Sequence, residues 1–419
     1  MAFGARCSRS AAELGDPNEY SSCPLKALFL SQRVPYPPDR GDKISSWRIV
    51  ERLSREHEVT IIAFSHDEAD EAGAEALRAK GFEVVTIAHD ENAKKISSLP
   101  LLLGKTPLTL GIYGSNELQA EVDRRVDSAD FAFAFSSSMG AFLMPHPKLP
   151  KLVFIGELDS DKWRQYAAAK SFPMSWVFRR EARTLFAFEK KLAAAAMENL
   201  LVTPLEKEIC DREIPNCRST VLRNGVDLEL FHPAPERREP GHLVFTGVMD
   251  YFPNTEGCTW FVEEVLPLIR QRHPKARLSI VGSRPDRDAL ALAATPGVTV
   301  TGRVESTADW LQRASVAVCP LNIARGVQNK VLEAMACGLG VVATTPASQG
   351  TEAVSGTHFL LADEATTFAT EVANLLDSPE RAASLGAEAR SFMEETRSWE
   401  HNYEALDRAV ERITQSRHD

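Results

Sequence analysis

The chain has 419 residues and a formal net charge of −10, with 44% apolar and 25% charged residues. This length is enough for two domains with full cores, and the composition is that of a soluble globular protein. The acidic balance argues against a general nucleic-acid-binding protein. No apolar run reaches the roughly 18 residues that a membrane-spanning helix needs.

Residues 1–24 are polar, rich in small side chains, and lack the apolar core of a signal peptide. We therefore expect a disordered extension, on a protein that stays in the cytoplasm. The seven cysteines are odd in number, and no two of them have CxxC spacing. Neither a disulfide framework nor a cysteine metal site is expected, and a reducing compartment fits.

Strand-like and helix-like segments alternate from residue 26 onward, with the clearest helical stretches at about 43–56 and 67–80. The strand-like runs of this first series are KALFLS (26–31), EVTIIAF (58–64), EVVTIA (83–88), FAFAFS (131–136), KLVFI (151–155) and NLLVT (199–203). Such alternation predicts a parallel sheet covered by helices on both faces.

A second series of strand-like runs follows a segment that is rich in proline and in mixed charges, residues 224–240. Its members are HLVFTG (242–247), ARLSIVG (276–282), VTVTG (298–302), VAVCP (316–320) and GVVAT (340–344). We therefore predict domains over 25–223 and 241–395, a linker over 224–240 that opens on an Asn-Gly turn, and a final segment, 396–419, with a helix at about 399–415. Ligands of doubly wound sheets bind at the carboxyl ends of the strands, so two facing domains would enclose a deep cleft.

The segment RGVQNKVLEAMACGLGVV (325–342) is predicted to form a loop, a helix and a turn into a buried strand. The first turn of such a helix offers unpaired N–H groups and the positive end of a dipole, which suit a phosphate. Arg325 and Lys330 can add positive charge there, and Glu333 can accept hydrogen bonds from two sugar hydroxyls. An ordinary strand-loop-helix unit with a solvated glutamate is the alternative.

The segment SQRVPYPPDRGDKISSWR (31–48) follows the first predicted strand directly. Its prolines favour an extended loop, and Gly41 permits a close backbone approach before a helix. A plain loop that ends in a helix cap is the alternative.

The segment ELDSDKW (157–163) follows the strand KLVFI. Asp159 or Asp161 can orient an acceptor hydroxyl, with Lys162 nearby, and we assign no metal to this acidic pair. The alternative is a helix N-cap at Asp159 or Ser160. The segment FTGVMDYFPN (245–254) ends the first predicted strand of the second domain. Its Gly247 lets the backbone come near a ligand.

LEAMACGLGVVAT (332–344) resembles the donor-site helix of family-4 retaining glycosyltransferases, which have the GT-B fold. SQRVPYPPDRGDKI, SSSM, DSDKW, FTGVMDYFPN and ARGVQNKVLEAMA resemble sugar transferases of bacterial exopolysaccharide clusters, including those that accompany exosortase (PEP-CTERM) systems. This resemblance covers about residues 26–400. It implies an α/β fold of two Rossmann-like, doubly wound parallel-sheet domains that face a central cleft, with a C-terminal helix crossing back to the first domain.

The resemblance also implies roles for individual residues, with the acceptor on the first domain and the nucleotide-sugar donor on the second. In that family the residue at Glu333 holds the ribose, Lys330 belongs to the phosphate site, and a glutamate is usual where this chain has Arg325. The implied donor contacts are Gly247, Arg303, Val304, Arg325, Gly326, Val327, Lys330 and Glu333. The implied acceptor contacts are Gly41, Lys43, Asp159, Asp161 and Lys162, and the catalytic set is Gly41, Asp159, Arg325 and Lys330.

The implied reaction moves a sugar from a nucleotide-diphosphate sugar to a hydroxyl of a saccharide or lipid-linked saccharide, with retention (EC 2.4 class). Exopolysaccharide or other surface-glycan biosynthesis is the implied role. No metal or other cofactor is expected, because a helix N-terminus with Arg325 and Lys330 can stabilise the leaving diphosphate. Two alternatives stay open: a sugar-nucleotide epimerase on the same fold, suggested by the acids of ELDSD, and a non-catalytic scaffold, suggested by Arg325.

Residues 162–191 contain eight Lys or Arg, two Glu and seven aromatic residues, a local excess of +6 in an acidic chain. Basic and aromatic side chains on one face favour contact with anionic lipid. One interpretation is therefore a peripheral contact with the inner face of the cytoplasmic membrane. The other is a pair of half-buried helices with aromatic residues inward and solvated charges.

Overall fold

The computed structural model describes residues 24–324 and 326–415, so Arg325 and the predicted extension up to residue 23 lie outside it. Seven parallel strands form the first sheet, in the order β3-β2-β1-β4-β5-β6-β7. They are β1 (Lys26–Ser31), β2 (Glu58–Ser65), β3 (Glu83–Ala88), β4 (Phe131–Phe135), β5 (Lys151–Gly156), β6 (Glu198–Leu201) and β7 (Ser219–Val221).

Six parallel strands form the second sheet, in the order β10-β9-β8-β11-β12-β13. They are β8 (His242–Thr246), β9 (Arg277–Val281), β10 (Val298–Val300), β11 (Val316–Cys319), β12 (Gly340–Ala343) and β13 (Leu360–Leu361). Every strand predicted from an apolar run is present. The edge strands β7 and β13 were not predicted, because three and two residues are too short to carry an apolar pattern.

Helices connect the strands of both sheets. Those of the first domain are α1 (Gly41–Ser54), α2 (Glu68–Ala79), α3 (Glu91–Ser97), α4 (Leu108–Ile112), α5 (Asn116–Asp123), α6 (Ser137–Gly140), α7 (Asp159–Ala169), α8 (Met174–Ala195) and α9 (Pro204–Glu213). Those that follow are α10 (Phe252–Trp260), α11 (Leu266–Arg272), α12 (Arg287–Ala291), α13 (Thr307–Arg313), α14 (Asn329–Ala336), α15 (Thr345–Ser348), α16 (Ala365–Asp377), α17 (Pro379–Thr396) and α18 (Trp399–Gln415).

The central strands are buried on both faces, as expected of parallel sheets that are covered by helices. In the first sheet, Phe29 of β1 and Phe133 of β4 are fully buried, and their rings stack 5.3 Å apart. In the second sheet, all residues of β8, β11 and β12 are buried. Each sheet therefore has its own apolar core, and loops lie at the carboxyl-terminal edge of each sheet.

The last helix, α18, packs on the first domain. Its residues Leu406 and Ile413 are fully buried in the same apolar cluster as Val50 and Leu53 of α1. An ion pair of 2.9 Å between Arg52 and Asp407 adds a polar contact. The predicted two-domain α/β architecture and its C-terminal crossover helix are therefore confirmed.

The chain passes between the domains at two adjacent places. Val226 donates its N–H to the carbonyl of Arg397 at 2.8 Å, and Val226 and Ser398 form a parallel bridge. A Cβ atom on Gly225 would lie 2.5 Å from the Trp399 ring, so only glycine allows this close packing. The two crossings therefore run side by side.

We predict that Leu406→Ala destabilises the protein by about 2–5 kcal/mol, because it leaves a cavity between α18 and α1. Leu205→Ala removes the same atoms from a side chain that is 56% exposed, and should change stability little. Urea denaturation followed by circular dichroism measures both. Equal effects of the two variants would contradict the packing of α18 as described.

Candidate functional site

The two domains meet at the carboxyl ends of their strands, around the loop that precedes α14. We call residues 326–328 the α14 loop. Gly41, the first residue of α1, faces Asn329, the first residue of α14: a Cβ atom on Gly41 would lie 3.4 Å from the Asn329 Nδ2. Asn224 links the same two helices, since it accepts from Ser45 Oγ at 3.0 Å and donates to Asn329 Oδ1 at 3.4 Å.

The helix α14 lies where the sequence predicts a helix, within residues 325–342. Its buried face consists of Val331, Leu332, Ala334, Met335 and Ala336. The residue before it, Gln328, makes no side-chain capping hydrogen bond, so the first amides of the helix lack a side-chain cap. Val331 and Leu332 donate their N–H groups to the carbonyl of Gln328, so the amides that can meet an anion at the positive end of the helix dipole are those of Asn329 and Lys330.

Lys330 lies in the first turn of α14 and is partly buried. Its Nζ donates to Asn254 Oδ1 at 2.6 Å and lies 5.1 Å from the ring centroid of Phe245. Burial lowers the pKa of Lys330. Asn254 in turn donates to the carbonyl of Val248 at 2.8 Å, so it fixes both the lysine and the loop after β8.

Glu333 follows Lys330 by one turn and is partly buried. Among the described residues, its carboxylate has no hydrogen-bond or ion-pair partner. Burial raises the pKa of Glu333 to about 7, and Lys330 opposes this rise. An ionised carboxylate without a protein partner can accept hydrogen bonds from two neighbouring hydroxyls.

Three other predicted donor residues are described. Gly247 has a packing reason to be glycine, because a Cβ atom there would lie 2.8 Å from Asn254 Nδ2. Val327 packs against the apolar cores of both domains. Gly326 has a φ of +66°, and a Cβ atom there would lie 1.8 Å from Glu157 Oε1 of the first domain.

Arg303 and Val304 follow β10. The Arg303 guanidinium is 73% exposed and reaches across to Asp39 of the first domain, with 3.4 Å between Nη2 and Oδ2. Val304 packs against the second core. Arg325, the remaining predicted donor contact, lies outside the described residues.

Most of the predicted acceptor residues are engaged within the first domain. Lys43 is buried, and its Nζ lies 2.6 Å from Asp70 Oδ1. Asp161 accepts from Arg164 and Gln165, each at 3.0 Å. Lys162 Nζ lies 6.0 Å from the ring centroid of Tyr166.

Asp159 is the first residue of α7 and accepts from Ser137 Oγ at 3.2 Å. The alternative that Asp159 or Ser160 caps this helix is wrong, because the N-cap residue is Leu158, which makes no side-chain capping hydrogen bond. Ser160 is instead buried within the helix, where its N–H donates to Glu189 Oε1 at 3.2 Å.

Sequence reasoning missed four residues of this region: Asn224, Asn254, Asn329 and Glu157. All four lie in segments that it singled out. Their contacts join segments far apart in the chain, however, and neither periodicity nor spacing reports such contacts.

A wide, open depression of about 990 Å³ lies elsewhere, at the N-terminal ends of β4 and β5, and its lining includes Asp130 and Lys151. Doubly wound sheets bind ligands at the opposite, carboxyl ends of their strands. The α14 region is therefore the stronger candidate site.

Residues 240–378 match the family model for glycosyl transferases group 1. An uncharacterised 44.6 kDa protein in the cps region of Klebsiella pneumoniae is 22% identical over 395 residues, which cover 88% of this chain and 96% of that protein. D-inositol 3-phosphate glycosyltransferase 2 of Catenulispora acidiphila is 28% identical over 196 residues, covering 41% of this chain and 45% of that protein.

Solved structures are similar over nearly the whole chain. Sucrose-phosphate synthase from Thermosynechococcus elongatus superposes with a TM-score of 0.70 at 16% identity, covering 94% of this chain and 100% of that one. Anabaena HepE in complex with UDP-glucose superposes with a TM-score of 0.66 at 13% identity, covering 93% and 100%.

These likenesses define the fold as GT-B. Together with the family match, they support a GT-B glycosyltransferase, with glycosyl transfer as its class of reaction. They give the epimerase alternative no support.

The raised pKa of Glu333 predicts a pH-dependent stability. Because its folded pKa of about 7 exceeds the ordinary glutamate value of 4.5, the folded state binds more protons than the unfolded state between these two values, and stability falls as pH rises from about 4.5 to about 7. Glu333→Gln removes this contribution, so its stability relative to the parent should increase over that window.

Urea denaturation of both proteins at several pH values measures the difference. Glu189 also has a pKa raised by burial to about 7, so part of the fall should persist in the variant. A stability difference that does not change with pH would contradict the assigned environment of Glu333.

Proposed function

We propose that this protein is a family-4 retaining glycosyltransferase. In this proposal it moves a sugar from a nucleotide-diphosphate sugar to a hydroxyl of a saccharide or lipid-linked saccharide, in the biosynthesis of exopolysaccharide or another surface glycan. The observation that carries the proposal is that Lys330 and Glu333 lie on the same helix, α14, whose N-terminus lies between the two domains. Anabaena HepE, of similar fold, was solved with UDP-glucose, and the Klebsiella relative lies in a cps region.

The donor binds along α14 in this proposal. Glu333 accepts hydrogen bonds from the two ribose hydroxyls. The diphosphate lies at the first turn of the helix, where the uncapped amides and the Lys330 ammonium meet its negative charge. Arg303 and Val304 remain our candidates for the nucleobase, and Arg325 for further positive charge.

The reaction then needs stabilisation of the diphosphate as its bond to the sugar breaks. Preorganised donors at the helix N-terminus supply this, and the proposal requires no metal or other cofactor. Gly41 and Asp159 position the acceptor hydroxyl. The contacts between Gly41 and Asn329 and between Arg303 and Asp39 join the two domains across the cleft. In this proposal, closure of the domains around the donor excludes water that would hydrolyse it.

Lys330→Ala and Glu333→Ala should each weaken donor binding by about 10- to 100-fold, the loss expected for one hydrogen bond to a charged group. Isothermal titration with UDP-glucose and other nucleotide sugars measures the effect. Lys275→Ala and Glu264→Ala are matched controls, since both side chains are exposed.

Normal donor affinity in both α14 variants would contradict the donor site. Melting temperatures of the same proteins separate this loss from any effect on folding, because Lys330→Ala also frees Asn254 Oδ1. Release of nucleoside diphosphate from the donor, unchanged by EDTA, would favour a metal-independent enzyme over a non-catalytic scaffold.

We further propose that the protein stays in the cytoplasm and rests on the membrane surface through residues 162–191. This segment forms the helical hairpin α7–α8. At its tip Phe172 is 80% exposed, and Met174 and Trp176 are about half exposed. Lys170, Arg179 and Arg183 are exposed beside them. Exposed apolar side chains among basic ones suit an anionic lipid surface.

A second segment extends this surface. Arg180 is buried and donates to the carbonyls of Leu102, Gly104 and Thr106, which holds residues 99–106 against α8. Leu103, at the end of the 3₁₀ helix Leu99–Leu103 in this segment, is 94% exposed. No helix among the described residues is both long and apolar enough to cross a membrane.

Reversing Lys170, Arg179 and Arg183 to glutamate should weaken flotation with phosphatidylglycerol vesicles at least about tenfold, since each charge near such a surface contributes about 1 kcal/mol. Arg180 is left unchanged because it is structural. The control reverses Lys275, Arg381 and Arg408, which are exposed elsewhere. Absence of flotation by the parent, or equal effects of both triple variants, would refute the membrane contact.

A further inference from the structure

Glu157 brings a carboxylate of the first domain to the α14 loop of the second. It directly follows β5, at the carboxyl edge of the first sheet. Its Oε1 occupies the space next to Gly326, only 1.8 Å from where a Cβ atom would lie. Any side chain at position 326 would therefore displace this carboxylate.

The expected direction of the bound donor along α14 indicates which part of the donor lies near Glu157. A helix rises about 1.5 Å per residue, so Glu333 and Lys330 lie about 5 Å apart along its axis. If the ribose lies at Glu333 and the diphosphate at the first turn, the donor runs toward the N-terminus of the helix. The next chemical group, the sugar that is transferred, then reaches the α14 loop and Glu157.

An aromatic residue of the second domain lies within electrostatic range of Glu157. Tyr251, in the loop after β8, is about half exposed. Burial raises its pKa, and the nearby Tyr166 and Glu157 raise it further. A carboxylate and a half-exposed tyrosine ring in the same region can offer a sugar both hydrogen-bond acceptors and an apolar face.

We propose that Glu157 accepts hydrogen bonds from hydroxyls of the transferred sugar and thereby contributes to the choice of donor. The ligand class is a hexose or related sugar with free neighbouring hydroxyls, bound as its nucleotide diphosphate. This inference rests on the proposed function. Glu157 is a specificity residue, distinct from the ribose carboxylate of Glu333.

The test compares each nucleotide sugar with the corresponding nucleoside diphosphate, which lacks the sugar. Calorimetry is done with UDP and UDP-glucose, GDP and GDP-mannose, and dTDP and dTDP-glucose, and the pair that the parent binds most tightly is then used. Glu157→Gln should weaken the nucleotide sugar about tenfold and leave the nucleoside diphosphate unchanged.

Two further variants make the result specific. Glu333→Gln should weaken both ligands alike, because ribose is common to them. Glu117→Gln, at an exposed position on α5 of the same domain, should leave both donor affinities unchanged. Glu157→Asp keeps the charge and should recover part of the affinity for the nucleotide sugar.

The outcomes separate the two proposals. If the parent binds none of the pairs, the proposed function fails, and this inference fails with it. If the parent binds them but Glu157→Gln changes neither ligand, or changes both equally, only the assignment of Glu157 is overturned. A melting temperature that stays close to the parent's excludes a folding defect as the cause.

Discussion

The contact between the α14 loop and the first domain is the constraint on which the candidate site depends. Parallel strands place the loops of both sheets at facing edges. The close approach of Gly41 to Asn329, and of Glu157 to Gly326, brings groups of both domains to one point. Neither domain alone contains the full set of residues, so the site exists only when the domains are together.

The electrostatics of α14 follow from its burial. Lys330 and Glu333 are both drawn toward their neutral forms, since burial lowers the pKa of the lysine and raises that of the glutamate. Their neighbours compensate for this only in part. Asn254 and the Phe245 ring hold the lysine, whereas the glutamate has no partner among the described residues. A ligand with an anionic part and neighbouring hydroxyls would complement both groups.

Much of the fold could be predicted from the sequence, because long buried strands carry a strong apolar signal. The predicted helix over 399–415 agrees with α18, whereas the edge strands β7 and β13 left no signal. At the candidate site, Lys330 and Glu333 could be singled out because the sequence predicts both on one short helix and that helix resembles a known donor-site helix. Glu157 and Asn254 could not, because their roles come from contacts across about 170 and 76 residues of chain. Lys43 was predicted to contact the acceptor, but it binds Asp70 within the first domain. Because Asp70 lies 27 residues away in the chain, the sequence pattern around Lys43 did not indicate this partner.

The two adjacent crossings between the domains have a consequence for their relative motion. Val226 and Arg397 are joined by a backbone hydrogen bond, and Trp399 packs directly on Gly225. Arg397 is fully buried and donates to the carbonyl of Thr351 at 2.6 Å, which anchors this region to the second domain. Two parallel chains fixed together in this way resist sliding and twisting but still bend about a common axis. We therefore expect any opening of the cleft to be a bending motion about these two crossings.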